Sequence, residues 1–238
     1  MEQSDLIQQY ISKSANAGVT IEIELLTESA RKMKIIENKI YINPTLISHD
    51  DFELYLSYLV RKFVLPKIKF ETERLLIRRY EERDHDDCFD FLKDRETCYM
   101  DGGYEPFEAM NEAYDSLMQS FKEDEGRLMI YSKTDQKVIG VIHLMDVKER
   151  AVETMEIGYV IAPQYRRCGY AYEALSALID KLQEDFKLDL LVAGAIEENI
   201  PSIQLLKKLG FIYEGKRIKA FYHPCYGAID LVYYYKER

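Results

Sequence analysis

The stretch Glu156-Ile157-Gly158-Tyr159-Val160-Ile161-Ala162-Pro163-Gln164-Tyr165-Arg166-Arg167-Cys168-Gly169-Tyr170-Ala171 reads as a strand, a short loop with one glycine, and the head of a helix. After it, Ala171, Ala174, Leu175, Leu178, Ile179 and Leu182 form an i, i+3, i+4, i+7 stripe, which predicts an amphipathic helix. The first turn of a helix presents backbone N–H groups without internal partners and a partial positive charge. Linked phosphates would meet those donors, with Arg166 and Arg167 adding charge beside them. Gly169 has no side chain to hold a phosphate away from the backbone. The residues alone therefore predict a phosphate-bearing ligand at 166–171, without its identity. A plain turn flanked by two surface arginines uses the same residues. Neither G-x-x-x-x-G-K-[ST] nor G-x-G-x-x-G is present, so a nucleoside triphosphate or NAD is not supported.

Outward from this stretch, strands and helices alternate as in an α/β chain. Residues 74–80, 128–132, 138–146, 154–161 and 190–196 read as strands, and two more follow from Tyr213. Helices are predicted from an acidic start at 82–87, over 106–122, after Gly169 and over 201–209. The first segment reads differently, as helix, hairpin, helix. Ser4 caps a helix ending near Gly18, residues 19–25 alternate as a strand, and 35–42 look like its partner. A last helix starts at Ser48, with Phe52, Leu56, Leu59 and Phe63 at helical spacing. A boundary near Pro66 divides residues 1–68, with 9 acidic and 8 basic side chains, from a remainder holding 33 and 24. Two parts are expected, 1–68 and 69–238, packed together because no Gly/Ser linker separates them.

Composition narrows the function. The chain has 238 residues, is 47% hydrophobic and 31% charged, and carries a formal net charge of -10. Phosphate neutralisation by Lys and Arg underlies nucleic-acid binding, so a nucleic-acid partner is not expected. An acidic protein suits a cationic substrate such as an amine. No stretch approaches the roughly 20 apolar residues that cross a bilayer, and residues 1–10 lack a secretory pattern, so a cytoplasmic location and no membrane partner are expected. Cys88, Cys98, Cys168 and Cys225 include no C-x-x-C pair and no histidine cluster, so no metal is expected and the thiols are read as free.

Arg166-Arg167-Cys168-Gly169-Tyr170-Ala171 resembles the coenzyme A diphosphate loop, Arg/Gln-x-x-Gly-x-Gly/Ala, of the GNAT superfamily of N-acetyltransferases. Asn199-Ile200-Pro201-Ser202, then Leu205, Lys208 and Gly210-Phe211, match that superfamily again at its usual spacing. Glu71-Thr72-Glu73-Arg74-Leu75-Leu76-Ile77-Arg78 resembles the opening strand of its RimJ/RimL-like branch. The resemblance covers about residues 69–238. One departure is Arg167, where many members have glycine.

The resemblance implies a GNAT fold, a central mixed and mostly antiparallel twisted sheet flanked by helices, here with a small N-terminal α/β extension. It implies transfer of an acetyl group from acetyl-CoA to a primary amine, by direct attack in a ternary complex. The diphosphate would lie on Arg166, Arg167, Cys168, Gly169, Tyr170 and Ala171. The pantetheine arm would pair like an added strand at Tyr159, Val160 and Ile161, and Asn199 and Ser202 would contact that arm. A backbone N–H would polarise the thioester carbonyl. Asn199 equally suits a helix N-cap, with Pro201 in the first turn.

The acceptor nitrogen must shed a proton. A lysine-like amine of pKa about 10.4 pays about 4–5 kcal/mol at pH 7, and an α-amine of pKa about 7.7–8.0 only about 1–1.5 kcal/mol. Glu156 is the expected base, with Glu197 as the fallback. Leu206 occupies the place where many members carry a tyrosine that protonates the leaving thiolate, so Ser202 is the expected donor. Tyr222, His223 and Tyr233–Tyr235 can line an amine pocket or simply pack, and selectivity is expected in the acidic stretch between Asp84 and Glu105. Peptide N-termini, polyamines and small-molecule amines all fit as acceptors. The alternative is a non-catalytic module that binds acyl-CoA. Residues 1–68 carry no catalytic constellation and are open to partner docking, pocket shaping or homodimer formation.

Overall fold

Apolar alternation in the chain beyond residue 70 builds one eight-stranded sheet, seen in the computed structural model. Residues 3–16, 19–25, 33–102, 104–147, 150–186 and 188–238 are described. The strands are β4 (Phe70–Glu71), β5 (Leu75–Arg78), β6 (Arg127–Ser132), β7 (Lys137–Asp146), β8 (Thr154–Ile161), β9 (Leu190–Ile196), β10 (Ile212–His223) and β11 (Gly227–Glu237). Their order is β10-β11-β9-β8-β7-β6-β5-β4, and every neighbouring pair is antiparallel except β8 and β9. A parallel pair needs a crossover. Helix α6 (Tyr170–Phe186) supplies it.

The one parallel pair is short. β8 and β9 match only at Thr154–Leu190, Met155–Leu191 and Glu156–Val192. Beyond Glu156, β8 stays registered with β7 to the Ile161–Gly140 pair, and β9 with β11 to Ile196–Leu231. Each strand is held on its outer side and free on the side facing the other. The sheet therefore parts after Glu156, and this gap positions the site.

Alternate strand positions feed two cores. Leu128 and Ile130 join one apolar cluster with Leu175, Leu178 and Leu182 of α6, whereas Met129 joins another with Phe91, Tyr114, Met118 and Phe121. The second cluster is covered by α3 (His85–Leu92) and α5 (Glu112–Glu123), with α4 (Arg95–Asp101) between them in sequence. Two differences from the expected elements stand out here. The predicted helix over 106–122 starts only at Glu112, where Asn111 caps the Ala113 and Tyr114 amides. The short α4, capped by Asp94, was not predicted.

The N-terminal segment comprises α1 (Gln3–Asn16), β1 (Glu22–Leu25), β2 (Met33–Ile36), β3 (Lys39–Ile42) and α2 (His49–Val64). Its hairpin is not the expected one. The run 35–42 breaks at Glu37, whose φ is 52°, and folds back on itself, so β2 and β3 pair antiparallel. β1 then adds parallel to β3, from Glu22–Lys39 to Leu25–Ile42. The helix end expected near Gly18 and the side chain of Phe63 lie outside the described residues, while Phe52, Leu56 and Leu59 are buried. Leu6, Ile7, Tyr10 and these three share the cluster of α6 and the sheet, so the apolar core runs unbroken between the two parts of the chain.

One charged pair sits inside that frame. Arg78 and Asp84, 2% and 1% exposed, meet in a two-pronged bond of 2.5 and 2.7 Å. Asp84 also accepts the Glu81 N–H at 2.8 Å, tying the end of β5 to the start of α3. Removing one partner strands the other charge without water. Asp84→Ala is expected to cost about 3–5 kcal/mol in urea denaturation, whereas alanine at the exposed Glu82 is expected to change stability by less than about 0.5 kcal/mol.

Candidate active site

The head of α6 is fixed by residues from the far end of the sheet. Glu173, in its first turn, accepts hydrogen bonds from Thr72 Oγ1 (2.5 Å), the Arg74 N–H (2.9 Å) and Arg74 Nε (2.6 Å). Burial alone would raise the Glu173 pKa, but these donors win and lower it, so the group stays ionised and paired. Arg74 continues to the Cys168 carbonyl at 3.0 Å and lies over the Tyr170 ring at 4.3 Å. One arginine thus clamps the loop and the helix together.

The clamp leaves donors exposed. Glu173 is the first residue of the helix whose N–H is taken, by the Gly169 carbonyl at 3.0 Å. Among the described residues no protein acceptor meets the N–H groups of Gly169, Tyr170, Ala171 and Tyr172. Arg167 and Gly169 both adopt left-handed backbone, φ 61° and 82°. That geometry explains the resemblance's departure: position 167 is one that suits glycine, and arginine occupies it at a steric cost.

Arg166 does not point its charge at this loop. Its guanidinium bonds Asp94 (3.3 Å), Glu96 (3.1 Å), Thr97 Oγ1 and the Ile161 carbonyl (3.2 Å), and its N–H goes to Pro163. It braces the loop against α4, while the exposed Arg167 and Cys168 remain beside the helix head.

Two cavities meet in the gap between β8 and β9. The larger, about 790 Å³, runs from Arg166, Arg167, Gly169, Tyr170 and Ala171 along Tyr159, Val160 and Ile161 to helix α7 (Ile200–Lys208). The smaller, about 150 Å³, lies between the parted strands and is lined by Glu156, Gly158, Gly194, Leu206, Phe221 and Leu231 among others. Met100, Asp101, Tyr159, Asn199 and Ser202 line both. That junction is where a group could pass from one cavity to the other.

Its polar atoms are held by local helix chemistry. Asn199 caps α7 by accepting the Ser202 N–H at 3.2 Å, and its amide reaches the Met100 carbonyl at 3.3 Å. The capping reading of Asn199 therefore holds, and the same side chain also ties α7 to α4. Ser202 Oγ meets the Tyr159 hydroxyl at 2.9 Å. At the other end of α7, Gly210 (φ 85°) gives its N–H to Lys207 and Phe211 to Leu206, both at 3.0 Å, closing the helix as a Schellman motif.

The two carboxylates of the small cavity differ in setting. Glu156 is half-buried, and burial holds its pKa above the ordinary carboxylate value against the pull of Arg217 and the Gly194 N–H. Asp101 reaches solvent yet is ringed by protein at the foot of the cleft, which raises its pKa to about 6 against a 3.2 Å hydrogen bond from Tyr104. Among the described residues no Lys, Arg or His lines this cavity. Glu197 lines neither cavity and is paired to Lys216 at 2.7 Å. His223 is buried against the Tyr99 carbonyl, and neither it, Tyr222 nor Tyr233–Tyr235 lines either of these two cavities. Asp101 and the Tyr159 hydroxyl are the residues that sequence reasoning did not single out. Asp101 lies within the acidic stretch 84–105, its only signal, and Tyr159 entered through its backbone alone.

Comparison with known proteins agrees with this geometry. A family model described as an acetyltransferase (GNAT) domain matches residues 74–212. The uncharacterized N-acetyltransferase YnaD of Bacillus subtilis (strain 168) is 30% identical over 146 residues, covering 60% of this chain and 82% of that protein. The ribosomal protein uS5-alanine N-acetyltransferase of Escherichia coli (strain K12) is 24% identical over 164 residues, 63% of this chain and 81% of its own length. The crystal structure of spermidine N-acetyltransferase from Vibrio cholerae, in complex with CoA and spermine, superposes with a TM-score of 0.58 at 20% identity. That match covers 70% of this chain and 96% of the other.

The left-handed pair generates a test. A Cβ on Gly169 would be strained at its φ and would come within 3.4 Å of the Arg74 guanidinium. Gly169→Ala is expected to lose about 1–2 kcal/mol, whereas Arg167→Gly is expected to stay within about 1 kcal/mol of the parent. Thermal melts of the two variants compare them directly.

Proposed function

This chain belongs to the GNAT acetyltransferase family and is an N-acetyltransferase; from that premise we propose how its own residues divide the reaction. The larger cavity takes acetyl-CoA, with the diphosphate on the free amides of 169–172 and the Arg167 side chain beside them. The pantetheine arm lies along the unpaired edge of β8 at Tyr159, Val160 and Ile161. The smaller cavity takes the primary amine. The observation that carries this reading is the junction of the two cavities at Tyr159, Asn199 and Ser202, with unpaired helix amides at one end and Glu156 at the other.

Chemistry follows from that division. The amine nitrogen attacks the thioester carbon directly, and its proton goes to Glu156, in contact or through one water. Free backbone N–H groups on the β8 edge polarise the carbonyl. Fixing both partners across one junction supplies the proximity contribution. A cavity with two carboxylates and, among the described residues, no cation in its lining suits an ammonium, and Asp101 is the second of the pair. The acceptor class is therefore a cationic primary amine, with peptide N-termini and polyamines both within it. The four cysteines Cys88, Cys98, Cys168 and Cys225 are free. The described residues include no helix long and apolar enough to cross a membrane.

None of the described residues of 1–68 lines either cavity, which supports 69–238 as the catalytic part. They share its apolar core, however. A 69–238 fragment is expected to melt at lower temperature than the full chain, and its folded fraction to bind coenzyme A within a few-fold of the parent by calorimetry.

Coenzyme A release measured against a panel of amines tests the activity itself; binding without release from any amine would instead leave an acyl-CoA-binding module. Within the panel, Glu156→Gln is expected to slow a high-pKa polyamine by about 10²–10⁴-fold, and an α-amine clearly less. Because burial raises the Glu156 pKa, the base is lost as pH falls through a value above the ordinary 4.5, and the acid limb of kcat/KM should sit correspondingly high. The same shift means the folded state binds that proton more tightly than the unfolded chain, so ionisation at neutral pH costs stability. Glu156→Gln should then melt higher than the parent at pH 7 while turning over more slowly.

A further inference from the structure

Leu206 stands one turn beyond Ser202 on α7 and is buried in the core, so α7 offers no acidic hydroxyl at that place. A phenol from β8 instead approaches Ser202, one turn before Leu206. Tyr159, on the free-edged half of β8, brings its hydroxyl to 2.9 Å from Ser202 Oγ and 3.4 Å from the Ser202 carbonyl. Both residues line both cavities.

We propose that Tyr159 is a positioning residue for acetyl transfer, donating its O–H to Ser202 Oγ so that the serine's own hydrogen is turned toward the leaving sulfur. This rests on the division of the reaction given above. A serine hydroxyl has one hydrogen and two lone pairs and rotates to suit its neighbours. Filling one lone pair from Tyr159 removes that freedom and leaves the serine hydrogen to be given elsewhere. The 2.9 Å contact allows either hydroxyl to donate, and Tyr159 is assigned as donor because a phenol O–H is more acidic than an aliphatic one, even with burial raising its pKa to about 12. Its ring is packed against the main apolar cluster, so the hydroxyl is held in place.

The step balances without a further acid. The C–N bond forms as the C–S bond breaks, and the electron pair of that bond goes to sulfur. The bound ammonium first gives one proton to Glu156, which passes it to solvent, and the second nitrogen proton follows to Glu156 as the amide forms. Ser202 keeps its proton and hydrogen-bonds the thiolate, which takes a proton from water after departure.

Tyr159→Phe keeps the ring and removes only the hydroxyl. The full-length variant is assayed with two acetyl donors, acetyl-CoA and an acetyl aryl thioester whose thiol is far more acidic. With acetyl-CoA, kcat is expected to fall about tenfold, the scale of one indirect hydrogen bond, with KM little changed. With the aryl thioester the loss should shrink to under about twofold, because that thiolate needs no help to leave. Ser202→Ala should show the same donor dependence, and the double variant should be no slower than Ser202→Ala alone. Equal losses on both donors, or losses that multiply in the double variant, would overturn the inference and leave acetyl transfer standing. If Tyr159→Phe does not melt cooperatively, Ser202→Ala on the two donors decides alone, equal losses again overturning it. Absence of coenzyme A release from the parent chain with every amine overturns the transferase reading and this inference together.

Discussion

Everything in the site depends on the sheet losing one ladder in its middle. β8 and β9 share three paired positions and then part, although each remains fully registered with its outer neighbour. A backbone edge in the middle of a sheet is normally satisfied by the next strand. Here the free edges of the two strands face each other across an opening, where the β8–β9 ladder has ended. Glu156 stands at the last shared pair, so its carboxylate lies at the vertex of the opening and is half-buried there. The vertex explains both the raised pKa of that group and its access to an acceptor.

The opening would be of little use without a rigid helix head beside it. A carboxylate in the first turn of α6 would compete with a phosphate for the same positive end of the helix. Glu173 does not, because Thr72 and Arg74 hold it on the flank, and Arg74 also takes the Cys168 carbonyl. The residues that open the catalytic part of the chain therefore set the charge balance of a loop about a hundred positions later. Arg166 plays the matching role on the other flank, spending its charge on Asp94 and Glu96 to join the loop to α4.

How much of this could be read from residues alone varies with the physics involved. β8, β9 and α6 were legible because their periodicities are strong and their ends are marked by Pro163 and Gly169. The free amides at the helix head were legible because the first turn of any helix leaves them without internal partners. α4 was missed because seven residues of mixed polarity make too short a periodic signal. The hairpin in the first segment was misassigned because the break at Glu37 carries neither glycine nor proline. Asp101 and the Tyr159 hydroxyl were invisible for a different reason. Their roles come from two cavities meeting, a relation between distant elements that no local pattern encodes. Arg166 shows a further kind: its type suggested a phosphate ligand, and its ion pairs with Asp94 and Glu96, set by tertiary packing, could not be read from the loop itself.

The shared core between α1, α2 and α6 has a consequence for how the chain comes into being. Helix α1 packs on α6, more than 150 positions further along. During synthesis the apolar faces around Leu6, Tyr10, Phe52 and Leu59 emerge long before Leu175, Leu178 and Leu182 exist to cover them. Contacts of such long sequence separation form late and slowly, and uncovered surface invites aggregation in the interval. The nascent N-terminal segment thus waits with its apolar face uncovered, and its packing is completed only when α6 has left the ribosome.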